Sequence, residues 1–336
     1  MDAASTYGPT RQLVGAIQTM AHKDIPATVR TRARQCLLDF LGVADDTHLP
    51  TILHGYAPTL AASLALGEYL HASGPQVLRS FLAGYETAAR VALAVCPAHY
   101  DRRWHVTGTT GTLGAAAAAA TMLGLEQTEI VHALGIAATQ AAGLREMFGS
   151  MSKPLHAGKA AHNGLLAALL AQRGLTSSEV ALEGKHGFCA VLSDRSHPSA
   201  LLEGWGEKWE IMRLGFKPYP CGVVTHPAID AALAVRQLFP ADLSYGETIA
   251  AVRLRCHPLV LELTGKKSPQ SGLEGKFSVY HCVAVALLDG EVGPASFTDE
   301  KVLPAGSSDS ASARGSRSGS RPESGSGGNR NHRCRR

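Results

Sequence analysis

The residues best suited to chemistry in this chain of 336 residues lie between Arg103 and Lys159. One end of that stretch reads Arg103-Trp104-His105-Val106-Thr107-Gly108-Thr109-Thr110-Gly111. The other reads Ser150-Met151-Ser152-Lys153-Pro154-Leu155-His156-Ala157-Gly158-Lys159. His105 is a group that gives or takes a proton near neutral pH. It stands before a Thr/Gly-rich turn leading into a helix, and the N–H groups of a helix start suit a carboxylate. The plainer alternative is a structural histidine in a turn. Lys153 precedes Pro154, which fixes the backbone at a helix entrance, where a lysine can clamp a carboxylate. A solvated charged turn is the alternative there. His156 and Lys159 follow at three and six residues and could share its face. Lys217 sits in a second rigid loop, Phe216-Lys217-Pro218-Tyr219-Pro220-Cys221-Gly222, with His226 at a helix start beyond it. The combination suits a pocket for a small polyanion.

Asp45-Asp46-Thr47-His48, followed by His54, is the other polar cluster. Acids beside histidine suggest a metal site or an acid/base pair, and helix capping by Asp46 or Thr47 competes with both. Metal-ligand spacing is poor, with no HExxH and no repeated i, i+4 histidine pair. The seven cysteines form no CxxC pair and read as buried free thiols of a reducing compartment. Gly108, Gly111 and Gly114 imitate a dinucleotide loop, but no strand precedes them and no βαβ unit surrounds them. There is neither a P-loop nor a Gly-x-Ser-x-Gly elbow.

The elements that must position these groups are mostly helices. Apolar residues recur at helical spacing over 11–21, and again over 27–42 through Val29, Ala33, Cys36, Leu37 and Phe40. Helices are also expected over 58–71, 75–95 and 111–123, from Thr128 as N-cap, and over 159–173. The six-alanine run within 111–123 allows very close helix packing. After about Gly204 the character changes. Thr225 should cap a helix over 227–238, residues 248–256 alternate like a strand, and 276–288 reads as a helix. The fold class is therefore mainly α, with a large all-helical domain over 1–214 and a smaller α+β region over 215–302.

Hydrophobic residues make up 45% of the chain, enough for a substantial core, and aromatic residues only 6%. No run of eighteen apolar residues occurs, so no membrane span is expected. Nor does the start read as a secretory signal, which points to a cytoplasmic protein, with mitochondria as the alternative. The net charge of +4 comes from residues 303–336, which hold seven Arg against two acids. The remainder has 25 basic and 26 acidic residues, so no nucleic-acid surface is read from it. From Leu303 the composition turns abruptly to Gly, Ser and Arg, as a change of reading frame or splicing would produce. A stretch of that kind is expected to be disordered, and its Arg lack the interleaved aromatics of an RNA-binding tail.

Several pieces together resemble the MmgE/PrpD family. They are Asp45-Asp46-Thr47-His48, Gly84-Tyr85-Glu86, Trp104-His105-Val106-Thr107-Gly108-Thr109, the run from Leu134 to Gly143, Lys153-Pro154-Leu155-His156-Ala157-Gly158, and Phe277-Ser278 with Leu287-Leu288-Asp289-Gly290. They span about 27–302 in the family's order. The resemblance implies a helical domain and an α+β lid with the site in the cleft between them, a homodimer, and no metal or organic cofactor. It implies a lyase for small di- and tricarboxylates. The first expectation is dehydration of 2-methylcitrate or a related alkylcitrate, as in propionate metabolism. Decarboxylation of cis-aconitate, or an inactive shortened remnant that dimerises or binds, are the alternatives. By position, His105 would be the acid/base group, Lys153 and Lys217 would bind carboxylates, Thr47 and His54 would line the pocket, and Tyr280 or His281 would approach from the lid. The chain departs from the family at two places. Val43-Ala44 stands where the family has a longer connection, and the Gly/Ser/Arg tail stands where the family completes its lid.

Overall fold

A computed structural model describes residues 7–22, 24–42, 46–240 and 248–303. The expected disordered tail over 304–336 and the junction at 43–45 lie outside the described residues. The first part of the chain is helical: α1 (Pro9–His22), α2 (Ala27–Gly42), α3 (Tyr56–Tyr69), α4 (Gly74–Val95), a single turn α5 (Ala98–Asp101), α6 (Val106–Leu123), α7 (Gln127–Gln140), α8 (Ser152–Gln172) and the short α9 (Phe188–Leu192). α6 is the central helix. It packs mainly against α4 and α8, and also against α3 and α7.

Composition explains that centrality. Every residue of α6 from Val106 to Ala120 is buried, which is possible because almost all are Gly, Ala or Thr. The threonine hydroxyls turn back to the helix's own carbonyls, as Thr110 Oγ1 does to Val106 O at 3.1 Å and Thr112 Oγ1 to Gly108 O at 2.9 Å. The absence of side chains lets backbones touch. A Cβ on Gly84 of α4 would lie 2.6 Å from Gly114 O and 2.7 Å from Ala118 Cβ. One facing on Gly164 of α8 would lie 2.5 Å from Ala115 Cβ. Gly84-Tyr85-Glu86 is thus a packing motif. Glu86 Oε1 accepts the Ile211 N–H at 3.0 Å, and Arg90 one turn on donates to the Glu203 and Lys208 carbonyls.

The second part has its own apolar core, built from Cys221, Ile229, Val260, Cys282, Ala286 and Phe297 among others. Its helices are α10 (His226–Arg236), α11 (Pro258–Thr264), the single turn α12 (Gly272–Gly275) and α13 (Val279–Asp289), with α10 packed on α13. Packed on the first core, which includes Leu214, is the only sheet among the described residues. β1 (Thr47–His48) pairs antiparallel with β2 (Leu214–Gly215), Thr47 opposite Gly215 and His48 opposite Leu214.

Four expectations need correction. Residues 249–256 form no strand, and Val252 and Leu254 are 55% and 40% exposed. Alternation makes a strand only with a neighbouring edge to pair with, and the described residues offer none. α7 starts at Gln127, not after a Thr128 cap, because the Glu129 carboxylate turns back to the Glu126 N–H at 2.8 Å. α6 and α8 begin earlier than expected, at Val106 and Ser152. Pro154 is tolerated in a first turn, where a missing N–H costs no helical bond, and the Gly108 N–H bonds His105 O at 2.9 Å. Asp46 and Thr47 cap no helix.

Candidate active site

His105 is the N-cap residue of α6. Its backbone N–H donates to Gly143 O at 3.0 Å, the Arg145 N–H donates to Arg103 O at 2.9 Å, and Trp104 bridges Leu144. The segment after α7 therefore fixes the loop holding His105. Gly108 permits this approach, since a Cβ there would stand 2.6 Å from Ala142 O. Beneath the loop, His99 stacks on Trp104 with centroids 6.0 Å apart. His99 Nδ1 donates to Leu192 O at 3.0 Å, and burial lowers its pKa to about 4.

The first turn of α8 brings Lys153 and His156 to the same place. His156 Nδ1 lies 2.8 Å from His105 Nδ1. Lys159 is exposed instead, because six residues turn a helix about 120° away from the starting face. The Lys153 ammonium sits 5.6 Å from the Phe148 ring centroid and 5.5 Å from that of Phe277. Aromatic faces hold a cation without neutralising it. Phe148 also meets the His105 ring edge-on, at 5.1 Å.

The small sheet carries the other side. Asp46, just before β1, accepts the Lys217 N–H on Oδ1 at 2.8 Å. The Asp46 carbonyl lies 2.9 Å from His54 Nδ1, and a carbonyl only accepts, so His54 carries its proton on Nδ1. The His54 N–H donates to Thr107 Oγ1 at 3.0 Å. Burial raises the Asp46 carboxyl to about 7, against the Lys217 N–H, and Asp39 pushes the same way as burial. His48 faces away from these groups, bonded to Glu210 at 2.9 Å and to Thr51 at 2.8 Å.

These groups surround a cavity of about 520 Å³. His105, Lys153, Lys217 and His54 line it. Thr47 does not: it is buried behind, with Oγ1 3.4 Å from His54 Nδ1. Tyr280 and His281 are elsewhere too. Tyr280 is 44% exposed, and His281 Nε2 bonds Ser296 O at 2.8 Å inside the second part. Both sit on the first turn of α13, while the residues just before it, Lys276 and Phe277, reach the cavity. Lining residues that sequence reasoning missed are Asp39, Tyr100, Phe148 and Lys276. Phe277 had a place in the resemblance but no role, and its packing with Lys153 gives it one. The described residues contain no gathering of three His, Cys, Asp or Glu side chains suited to a metal ion, and no helix long and apolar enough to cross a membrane.

Two family profiles match the chain. The MmgE/PrpD N-terminal domain covers residues 44–201, and the MmgE/PrpD C-terminal domain covers 219–306. The chain belongs to the MmgE/PrpD family. Among curated MmgE/PrpD relatives it is 32% identical to the cis-aconitate decarboxylase of Homo sapiens over 260 residues, which is 75% of this chain and 54% of that protein. The cis-aconitate decarboxylase of Mus musculus is 32% identical over 273 residues, 77% of this chain and 54% of that one. That of Aspergillus terreus is 29% identical over 278 residues, 76% and 56% respectively. The chain thus spans about half the length of these relatives.

Proposed function

We propose that this chain is a lyase for a small tricarboxylate and that its reaction is the decarboxylation of cis-aconitate. The observation that carries the reading is the convergence of His105, Lys153 and Lys217 on one cavity with an aromatic wall. The activity named for the relatives favours decarboxylation over the dehydration of 2-methylcitrate first expected. The division into a helical domain to about 214 and a lid from about 215 belongs to the same reading, supported by the two separate cores.

In this scheme the lysine ammonium groups hold the carboxylates that stay with the product. The bond from the methylene carbon to the departing carboxylate breaks and CO₂ leaves. Its electron pair forms a new double bond to the central carbon, and the old double bond takes a proton at its far carbon. One proton is consumed for each CO₂ released. His105 is the donor, with His156 behind it. Loss of a positioned proton donor costs about 10²- to 10⁴-fold in rate.

Homodimer formation is part of the proposal. It is supported by the exposed apolar side chains Met151 (84%) and Leu155 (62%) beside and on α8, and sedimentation of the purified chain reads it directly.

The deciding experiment offers the purified chain cis-aconitate and 2-methylcitrate and follows CO₂ and the organic product. Release of CO₂ with a methylidene dicarboxylate, abolished by His105→Ala and Lys153→Ala, is expected. Dehydration of 2-methylcitrate without CO₂ release would replace the reaction by the other lyase activity. A folded dimer with neither activity would leave a binding module.

A further inference from the structure

We propose that Lys276 is the specificity-determining cation of the cavity: it receives a third carboxylate and makes the site select tricarboxylates over dicarboxylates. This rests on the carboxylate reading of the cavity and goes beyond it by assigning the third anion subsite.

Lys276 lies at the end of the single turn α12 and lines the cavity. Its backbone is tied to the loop that carries Lys217, since the Gly222 N–H donates to Lys276 O at 3.0 Å. The next residue, Phe277, supplies one of the rings against Lys153. Lys276 is thus held between the supports of the other two cavity lysines.

Its side chain also differs from its neighbours'. Lys266 reaches Glu274 at 3.2 Å and Lys301 reaches Asp289 at 2.9 Å, so these two lysines of the same half are answered by nearby acids. Among the described residues the Lys276 ammonium has neither an ion pair nor a hydrogen bond. A partly buried lysine without a counter-ion, on the wall of a cavity, is a place for an anion from outside the chain.

The charge balance points the same way. The cavity wall holds three lysines against Asp39 and Asp46. Burial and the nearby Asp39 keep Asp46 partly protonated near neutral pH. The empty cavity is therefore net positive, which suits an anionic ligand.

The test compares propane-1,2,3-tricarboxylate with propane-1,3-dicarboxylate (glutarate), which share a three-carbon backbone and differ by one carboxylate. Binding to the wild-type chain, Lys276→Met, Lys276→Arg and Lys153→Met is measured by calorimetry. The wild type should bind the tricarboxylate at least about tenfold more tightly, the scale of one charge-assisted hydrogen bond. Lys276→Met should erase that preference and leave glutarate affinity unchanged, and Lys276→Arg should keep most of it. Lys153→Met should weaken both ligands, which separates failure of the third subsite from failure of the carboxylate reading. The ligand-free Lys276→Met protein should melt no lower than wild type, since no internal partner is lost. Equal weakening of both ligands by Lys276→Met, a lowered melting temperature, or wild-type protein that binds neither ligand or does not distinguish them would each overturn the assignment.

Discussion

The Nδ1 atoms of His105 and His156 face each other at 2.8 Å. Two lone pairs or two N–H groups at that distance would repel, so one ring carries the proton between them. The pair therefore takes up at most one extra proton. Burial, then Lys159 and Lys153, lower the pKa of His156, which favours its neutral form as the acceptor in the pair. His156 is thus a positioning residue for the donor. His156→Ala should lower kcat on cis-aconitate about 10- to 100-fold, the scale of a lost supporting partner, and move the limb where the donor deprotonates to lower pH. His156→Gln, which can still accept from Nδ1–H, should retain more of both. A fall in kcat with an unchanged pH profile would reduce His156 to packing.

Asp46 invites an isosteric substitution. Asparagine keeps an oxygen for the Lys217 N–H but cannot ionise. With the folded pKa raised to about 7, the carboxyl contributes stability below its ordinary pKa of about 4 and loses it as pH rises through about 7. Asp46→Asn removes that slope. The melting temperature of wild type relative to Asp46→Asn should fall between about pH 4 and 7 and run parallel above. If Asp46 also shuttles protons, a limb near pH 7 should vanish from the rate profile.

His99 predicts the opposite slope. Burial holds its folded pKa at about 4, below the ordinary value of about 6.5. Its contribution is complete above the ordinary pKa and is lost as pH falls through the folded one. About 3 kcal/mol is at stake over that window. Denaturant midpoints of wild type and His99→Asn should therefore converge between about pH 6.5 and 4. Midpoints that stay equally far apart across the window would refute the assignment.

Gly84→Ala tests the contact between α4 and α6. The added methyl would stand 2.6 Å from Gly114 O, which belongs to backbone and cannot rotate aside. Overpacking of this kind costs about 1–3 kcal/mol, readable as a lower urea midpoint. Gly74→Ala, with nothing within 4 Å of the new methyl, is the matched control.

The helices and the family were legible in the sequence because local pattern specifies them. Ala27–Gly42 shows its period, and the Gly/Ala/Thr run of α6 can only be a close-packed helix. His105 and Lys153 were legible because each stands at a helix entrance, where backbone and side-chain chemistry coincide. Lys276 and Tyr100 were not: each is an ordinary residue in its own neighbourhood and reaches the cavity only through tertiary packing. Tyr280 and His281 fell outside because the helix they begin turns Tyr280 to the surface and His281 to the Ser296 carbonyl. The 248–256 segment misled for a related reason, since alternation says nothing about whether a partner edge exists.

The small sheet has only two residues per strand, and Asp46 and Lys217 lie just beyond it, with Thr47 opposite Gly215. A slip of one residue in such a ladder exchanges inward and outward side chains. It would also carry the Lys217 N–H about 3.3 Å past the Asp46 oxygen. The position of Lys217 relative to Asp46 on this side of the cavity is therefore fixed by the phase of this ribbon. Substitutions at Gly215, whose added Cβ would press on Leu49 at 3.1 Å, should retune ligand size preference without touching a ligand.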